Sequence, residues 1–451
     1  MITRVRSFLT ALCFAPLAYA QSGDLPVLPE QLFPDLKQII ADAVQQSPRM
    51  LALSLNQEIA EADRIQSRSG MLPSVGGSFT ASLTRDDREG IEDTLSTEKI
   101  YYNFSVSQPL FHWGERRNNA RIGEINKRIA DRNYGEAYRL LVQEIRTTYL
   151  QLILVKGRVE EARFNLGQAE EVLRVTEERL SRRVISESEA FQPRIAVDQA
   201  RLYADRTADS FEELKRRFAA LTGRQAPADA SIPNEIPPVD TATAQIDRLL
   251  ASFVGRPEPL TVEALTLRDQ IQSAELSYAN QRTRLLPKFS LVAGISQDEQ
   301  SYTIDPSLKY GLRSLYAGVS VSWTMFDGFA TRAGKRSALA RLRQAEFNLK
   351  RYTESINGDV QRNARQLTFS ARQMAIQERL FDSNRNYLNF LKEQRSRGLS
   401  SDSDVTQAEI RYRGGFLAAL EARADYLLKS SEFVGLVTED PNLANLRGVG
   451  R

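Results

Sequence analysis

Side chains able to perform enzymatic or metal chemistry are scarce in this sequence. Of its 451 residues, one is a cysteine, Cys13, and one is a histidine, His112. Zinc fingers, Cys/His catalysis and disulfide frameworks need several such residues and are therefore excluded. The sequence also contains no nucleophile constellation and no phosphate-binding loop. We therefore expect no catalytic residue, no metal site, no cofactor and no enzymatic activity.

Two carboxylates stand three residues after a serine, and this spacing has a physical meaning. Ser186 precedes Glu189, and Ser401 precedes Asp404. In a capping box, the serine and the acid each satisfy a free amide in the first turn of a helix. A carboxylate there also interacts favourably with the helix dipole. Helix capping is thus the simplest interpretation of both acids.

The overall charge argues against a nucleic-acid partner. The chain has 60 basic and 57 acidic residues, a formal net charge of +3, and 42% of its residues are hydrophobic. Nucleic-acid binding usually requires a concentrated basic excess, whereas the arginines here alternate with acids. The hydrophobic fraction is that of an ordinary globular protein.

Residues 1–20 have the features of a secretory signal peptide. Arg4 and Arg6 precede an apolar stretch from Phe8 to Tyr19, and a small-residue cleavage pattern ends at Ala20. Residue 21 is glutamine, which disfavours a lipid-anchored amino terminus. No later run of 18 or more apolar residues predicts a transmembrane helix. Any contact with a membrane would then be made by strands.

The remaining sequence contains an internal repeat. Residues 102–113 read YNFSVSQPLFHW and residues 317–328 read AGVSVSWTMFDG, and the two segments align at an offset of 215. The same offset pairs Ser186 with Ser401 and Glu189 with Asp404. Self-similarity at a fixed spacing indicates a tandem duplication of one structural unit.

Each copy contains a long helical hairpin. Proline is absent from 110–192 and from 307–440, and both tracts carry apolar residues at helical spacing. Each tract is interrupted by a turn and a serine cap, so we expect hairpins at 115–223 and 330–438. The first arm of each has about 65 residues and would extend on the order of 100 Å.

Two strands precede each hairpin. Apolar and small polar residues alternate at about 74–84, 99–109, 288–297 and 313–325, which is the period of a β-strand with two different faces. One face carries aliphatic and aromatic residues, and the other carries mainly serine, threonine, glycine and asparagine. A small soluble antiparallel sheet packed on helices is one interpretation, and a membrane barrel with a polar lumen is the other.

The sequence therefore divides into five parts. These are the signal peptide at 1–20, a first repeat at 21–223, a linker at 224–242, a second repeat at 243–438 and a tail at 439–451. Four strands alone cannot close a membrane barrel, because open edges would leave unpaired backbone groups in hydrocarbon. Two chains would supply eight strands and three would supply twelve, and only the larger barrel leaves a wide aqueous lumen.

The order of these segments closely resembles the TolC-type outer-membrane efflux proteins, the outer membrane factors of Gram-negative bacteria. The resemblance rests on Ser105 to Phe111 and Ser320 to Gly328, each followed by a long helix and a capped hairpin, and it covers nearly the whole mature chain. It implies an α+β membrane protein that forms a homotrimer. Four strands per chain would make a twelve-stranded transmembrane β-barrel in outer-membrane lipid, continuous with a long periplasmic α-helical barrel.

The resemblance also implies a function and partners. Members of the family are export ducts that dock with a periplasmic adaptor (membrane fusion) protein and an inner-membrane pump. They expel small toxic compounds or secrete polypeptides, as in type I secretion. The matching hairpin tips would contact the adaptor, through Arg182, Arg183, Val184, Ile185 and Ser186 in the first copy and Arg397, Gly398, Leu399 and Ser400 in the second.

The family's periplasmic gate maps onto three residues near these tips. Asp404 matches the acidic constriction position, and Gln407 stands where the family often has a second aspartate, so the ring of acids would be single. Glu189 is the repeat partner of Asp404. Capping and gating are compatible roles for these acids.

The sequence alone leaves two other classes of protein possible. A periplasmic structural or adaptor protein without a pore would use the hairpins as coiled coils, although an adaptor usually has one hairpin and a membrane anchor. A surface adhesin would be expected to have more strand than helix, and this sequence has the reverse. The family resemblance favours the export duct over both.

Overall fold

The computed structural model describes residues 25–86, 95–241, 243–256, 258–301 and 309–442. The expected signal peptide and most of the expected tail lie outside these residues. The elements, in chain order, are α1 (Pro29–Leu32), α2 (Pro34–Gln46), α3 (Pro48–Ser69), β1 (Ser74–Asp86), β2 (Leu95–Phe111), α4 (Glu115–Ser181), α5 (Glu187–Thr222), α6 (Thr243–Val254), α7 (Val262–Arg282), β3 (Lys288–Ser301), β4 (Lys309–Ser322), α8 (Ala330–Ser396) and α9 (Asp402–Leu436).

The duplication is visible in the helix lengths. α4 and α8 each have 67 residues, and their first residues are 215 apart in the chain. At 1.5 Å per residue, each extends about 100 Å. α5 and α9, with 36 and 35 residues, return antiparallel to them. Each half of the chain is thus a strand pair followed by a long helical hairpin.

The turn from strand to long helix has the same backbone in both halves. Trp113 and Gly114 have φ of 56° and 82°, and their repeat partners Gly328 and Phe329 have φ of 62° and 69°. Two consecutive left-handed residues reverse the chain sharply, and each copy supplies one glycine and one aromatic residue. The aromatic member carries the conformational cost that its glycine neighbour avoids.

The four strands form one antiparallel sheet in the order β1-β2-β3-β4. Its register places most of the apolar positions on one face, since Val75 pairs with Val106, Val106 with Ala293, and Ala293 with Ala317. On that face the ring of Phe104 lies over Gly77, where an added Cβ would stand 2.7 Å from the ring. The opposite face carries mainly Ser, Thr, Asn and Gly, together with Val292, Leu312 and Tyr316. The pattern therefore agrees with the alternation read from the sequence.

All four strands differ in extent from their expected ranges. β1 and β3 continue to Asp86 and Ser301 rather than to 84 and 297, β2 spans Leu95–Phe111 rather than 99–109, and β4 spans Lys309–Ser322 rather than 313–325. The strands extend further at the end away from the helices, because backbone pairing there continues beyond the residues that carry the alternation. Trp323 lies just after β4, and its indole nitrogen donates to the Leu285 carbonyl at 3.0 Å.

α4 is the central helix of the chain. It packs against α5, α9, α7 and α3. Its middle third is the most deeply buried part, and the core around it is continuous from the amino-terminal helices to α9; the buried members include Leu36, Ile40, Leu141, Ile145, Leu150, Ile153, Phe218, Leu420 and Leu427. A second core joins α6, α8 and α9. Among the described residues, no helix has both the length and the apolar character required to cross a membrane.

The linker between the repeats is part of the folded structure. Ile232 and Ile236 are buried in the main core. Lys156 on α4 donates to the carbonyls of Asp229 and Ile232 at 2.7 and 2.6 Å. The sequence suggested only a connecting segment, but this stretch, which includes a 3-10 turn at Asp229–Ser231, packs against α4.

The expected tail also folds onto α4 as far as it is described. Arg146, only 1% exposed, pairs with Asp440 at 2.6 Å and with Glu30 at 2.5 Å, and it donates to the Ser431 hydroxyl at 2.9 Å. Asn442 donates to Glu30 at 2.6 Å. One buried arginine therefore joins α4 to α9, to the segment before α2 and to the residues after α9.

Candidate functional site

The first hairpin tip joins α4 to α5 through residues 182–186. α4 ends in a Schellman motif, in which the Arg183 amide donates to the Leu180 carbonyl and the Val184 amide donates to the Arg179 carbonyl, each at 2.9 Å. This motif requires a residue in the left-handed conformation after the helix, and Arg183 adopts that conformation with φ of 56°. A residue with a Cβ pays about 1–2 kcal/mol for this conformation.

The second tip, between α8 and α9, repeats the geometry with a different residue. Gly398 is left-handed, with φ of 73°, and its amide donates to the Arg395 carbonyl at 2.9 Å. The Leu399 amide donates to the Gln394 carbonyl, also at 2.9 Å. Glycine adopts this backbone without steric cost. The two tips are thus equal in hydrogen bonding and unequal in strain.

The second helix of each hairpin begins at the predicted serine, but only one copy forms the full cap. In α9 the Asp404 amide donates to the Ser401 hydroxyl at 3.1 Å, and the Ser401 amide donates to the Asp404 carboxylate at 3.1 Å. In α5 the Ser186 hydroxyl donates to the Glu189 carboxylate at 3.1 Å, and its side chain accepts no backbone amide. The Ser401 hydroxyl also donates to its acid, Asp404, at 2.7 Å, so the two copies differ in the backbone amides that are capped. The capping box expected at Ser186 is therefore incomplete.

α5 also contains a proline. The helix begins at Glu187, so Pro193 lies in its second turn. There its missing N–H removes a hydrogen bond to the Glu189 carbonyl, and interior prolines destabilise helices by about 3 kcal/mol. The repeat partner in α9 is the buried Ala408. The first turns of α5 are therefore less stable than the first turns of α9.

Ion pairs occupy the flanks of both tips. Arg182 pairs with Glu178 at 2.5 Å, and Arg397 pairs with Glu393 in the equivalent place. Arg395 pairs with Asp402 across the second tip at 2.5 Å. All these side chains are largely exposed to solvent, so each pair contributes little, about 0–1 kcal/mol. These side chains can therefore change ion-pair partners at a small cost in free energy.

The three expected gate residues lie in the first two turns of the returning helices. Asp404, Gln407 and Glu189 are all exposed. Asp404 and Gln407 are three residues apart on α9, a spacing that places neighbours on one side of a helix. Hydrogen bonds from the Ser401 hydroxyl and backbone amide hold the pKa of the Asp404 carboxyl below its ordinary value. The capping role of Asp404 is confirmed, and its gating role stays a prediction.

The tips also present apolar side chains to solvent. Val184 is 69% exposed and its repeat partner Leu399 is 72% exposed. Ile185 and Ser400 are half-buried, while Arg182, Arg183, Ser186 and Arg397 are exposed. An exposed aliphatic residue flanked by arginines at each tip is suited to contact with another protein. Sequence reasoning missed the Arg395–Asp402 pair, although a basic and an acidic residue on either side of a predicted tip could have indicated it.

No metal-binding group of three or more His, Cys, Asp or Glu side chains occurs in the part of the chain that the structure describes. The hairpin tips contain instead hydrogen-bonded turns, exchangeable ion pairs and two free aliphatic side chains. These features are suited to binding and movement.

The whole architecture is similar to that of solved outer-membrane channels. The CmeC outer membrane channel of Campylobacter jejuni superposes with a TM-score of 0.72 at 13% identity, covering 100% of this chain and 97% of that one. The outer membrane protein VceC of Vibrio cholerae gives a TM-score of 0.68 at 14% identity, with 90% and 97% coverage. The MtrE outer membrane channel of Neisseria gonorrhoeae, solved in its open state, gives 0.66 at 14% identity, with 90% and 89% coverage.

Identities this low show a shared fold, and the family follows from the sequence itself. Comparison with curated proteins gives no match. The model of the outer membrane efflux protein family matches residues 39–223 and 265–433, which include the first helical hairpin and all but the last turn of the second. The resemblance carried by the repeated segments is thereby confirmed. This chain belongs to the outer membrane efflux protein family, whose members are outer-membrane channels with helical periplasmic extensions and act as transport conduits rather than enzymes.

Proposed function

We propose that this protein is the outer-membrane duct of an export assembly. Three copies would form a twelve-stranded transmembrane barrel, four strands from each chain, continuous with a periplasmic α-helical barrel. The duct would dock with a periplasmic adaptor protein and an inner-membrane pump. It would release small toxic compounds or secreted polypeptides to the exterior.

The observation that carries this proposal is the sheet, which has an apolar face and two open edges. Within the described chain, β1 and β4 each pair on one side only. A sheet with an apolar outer face enters hydrocarbon only when its edges are closed, because unpaired backbone groups there cost several kcal/mol each. β1 and β4 run antiparallel, so β4 of one copy can pair with β1 of the next. Repetition of that contact closes a ring.

The helical layer has open sides in matching positions. α4 packs against α5 and α9, and α9 packs against α8, so α5 and α8 are the outer helices of the layer. An exposed seam follows α8 at the spacing of a coiled coil, formed by Phe369, Ile376, Leu380, Tyr387 and Phe390. α5 exposes Phe191, Leu202 and Tyr203. Contact between α8 of one copy and α5 of the next would bury both sets.

The gate and the docking surface are assigned to the periplasmic tips. Three copies of Asp404, with Gln407 beside it and Glu189 on the neighbouring hairpin, would surround the pore axis. Val184 and Leu399, with the arginines around them, would contact the adaptor. Loosely paired tips can shift when a partner binds the open arrangement more tightly than the closed one. The incomplete cap of α5 and the exchangeable ion pairs support this assignment.

Electron microscopy of the protein extracted from outer membranes in mild detergent tests the proposal. Helices of about 100 Å and a barrel about 30 Å tall predict a threefold particle well over 100 Å long. In planar bilayers, Asp404→Ala should raise the conductance of the closed channel, and Asp382→Ala, at an exposed position of α8 away from the tip, should not. A short or monomeric particle would contradict the duct and favour a periplasmic coiled-coil protein.

A further inference from the structure

On β3 and β4 the apolar face of the sheet ends at polar side chains. In register, Tyr102 on β2 stands beside Gln297 on β3, and Gln297 stands beside Arg313 on β4. All three belong to the same face as Val106, Ala293 and Ala317. The next row toward the periplasmic end is wholly apolar, with Phe104, Ile295 and Leu315. The row of Tyr102, Gln297 and Arg313, here called the polar row, thus marks one boundary of the apolar band on β3 and β4, while Phe79 of β1 pairs with Tyr102 at the same level.

The other boundary is marked by tryptophans. Trp323 follows β4, and Trp113 follows β2, with its indole nitrogen 2.7 Å from the Pro287 carbonyl. Aromatic residues of this kind lie at membrane interfaces. From residue 323 to residue 313 a strand rises about 33 Å, and a tilt of about 40° reduces this to about 25 Å, the height of the apolar band in outer-membrane barrels. Arg313 therefore lies at the opposite interface.

The polar row orients the Arg313 guanidinium. The Gln297 side-chain oxygen accepts from the Tyr102 hydroxyl at 2.9 Å and from Arg313 Nε at 3.0 Å. Arg313 is exposed, and no ion pair is formed by it in the part of the chain that the structure describes. Its Nη1 and Nη2 groups remain available as a planar fork. That fork matches a phosphate in a bidentate arrangement.

Cations on the other face of the sheet are arranged differently. Lys99, at the same end of β2 and facing the polar side, pairs with Asp298 at 3.1 Å. Its charge is already neutralised by a neighbouring strand. Arg313 faces the lipid side and donates to the uncharged Gln297 side chain. An anion that satisfies it would have to come from the membrane interface rather than from this sheet.

We propose that the polar row is a binding site for a phosphate group of an anionic lipid in the outer leaflet. Arg313 supplies the charged fork, and Gln297 and Tyr102 hold its orientation. The inference rests on the proposed transmembrane barrel. A site of this kind would fix the depth of the barrel in the membrane and retain phosphorylated lipid at its outer rim.

Native mass spectrometry of the full-length protein in nanodiscs tests the site. The nanodiscs contain phosphatidylcholine with bisphosphorylated lipid A, with lipid A lacking one phosphate, or with no lipid A, and inorganic phosphate is added in a separate arm. We expect the parent trimer to retain bisphosphorylated lipid A in preference to lipid A that lacks one phosphate and to phosphatidylcholine. Arg313→Gln should reduce that retention on the order of tenfold, as expected for loss of a charge-assisted bidentate contact.

Two further variants test whether the position and the geometry of the cation matter. Lys99→Gln removes a cation from the other face and should leave retention unchanged. Arg313→Lys preserves the charge and removes the fork, so retention should lie between the parent and Arg313→Gln. Equal retention by Arg313→Gln trimers, equal loss in Lys99→Gln, or competition by inorganic phosphate that removes the lipid preference would overturn the inference. Failure of the parent to form trimers in the bilayer would contradict the proposed duct itself.

Discussion

Arg183 and Gly398 occupy the same left-handed backbone position in the two hairpin tips, with φ of 56° and 73°. They are 215 residues apart and follow helices of equal length. The two tips form equivalent backbone hydrogen bonds, so the identity of this one residue makes their local stability unequal. The strained tip is also the one followed by α5, which lacks a complete cap and carries Pro193 in its second turn.

Exchange of the residue types should reverse this inequality. Arg183→Gly is expected to stabilise the first tip by about 0.5–1 kcal/mol, because relief of left-handed strain exceeds the added flexibility of glycine in the unfolded chain. Gly398→Ala should destabilise the second tip by about 1–2 kcal/mol, since its Cβ would meet nothing within 4 Å and only the backbone cost remains. Hydrogen exchange of the two tip peptides measures both effects. Unchanged exchange in Arg183→Gly would contradict the strain.

Asp404 should make the second tip sensitive to acid. Its pKa is lowered in the folded chain by the Ser401 hydrogen bonds, so its contribution is present above about pH 3.9, the ordinary value, and is lost as the pH falls through the lowered value. Asp404→Asn should remove this dependence, measured as hydrogen exchange of the α9 start corrected for intrinsic rates. Glu189→Gln is the matched control, because its carboxylate accepts no backbone amide at the cap.

The same titration separates capping from gating. Three carboxylates held close together around a pore would raise one another's pKa, since like charges disfavour ionisation. A titration of Asp404 in the assembled trimer above pH 3.9, which returns to a lower value in isolated chains, would indicate a ring of acids. Identical values in both forms would show that Asp404 only caps its helix.

The Arg146 network should dominate the stability of the central region. Arg146→Met leaves the Glu30 and Asp440 carboxylates buried without their cation, which costs about 3–5 kcal/mol. Addition of Glu30→Gln and Asp440→Asn should recover part of the loss, because the remaining groups are neutral. Denaturant unfolding in detergent measures the change. Asp382→Ala, which removes the exposed Arg385 pair, should cost less than about 1 kcal/mol.

The exposed seam on α8 should be required for assembly and not for folding of the single chain. Phe369→Glu and Leu380→Glu place charges in the proposed contact with α5 of the next copy, where they would be buried without partners. We expect loss of the trimer in native mass spectrometry with unchanged helical circular dichroism. Asp382→Lys, off the seam on the same helix, is the control. Intact trimers in both glutamate variants would exclude this face as the interface.

Much of the architecture could be predicted because it is local. The proline-free tracts and their 3.6-residue period indicated α4 and α8, and the two-residue alternation around Val106 and Ala317 indicated the faces of the sheet. Gly398 was recognisable as a helix stop, and Ser401 with Asp404 was recognisable as a cap. In each case the relevant contacts lie within a few residues, so the amino-acid types alone carry the information.

The remaining features depend on contacts between distant parts of the chain. Arg183 has no local sign of a left-handed conformation, and Arg146 meets an acid 294 residues away. The burial of Ile232 depends on the position of α4, and the polar row around Gln297 depends on strand register. The sequence by itself determined the repeat, the element types and the tip serines. The tertiary structure decided which charges are buried together and which edges stay open, because those depend on pairing energies that no local pattern contains.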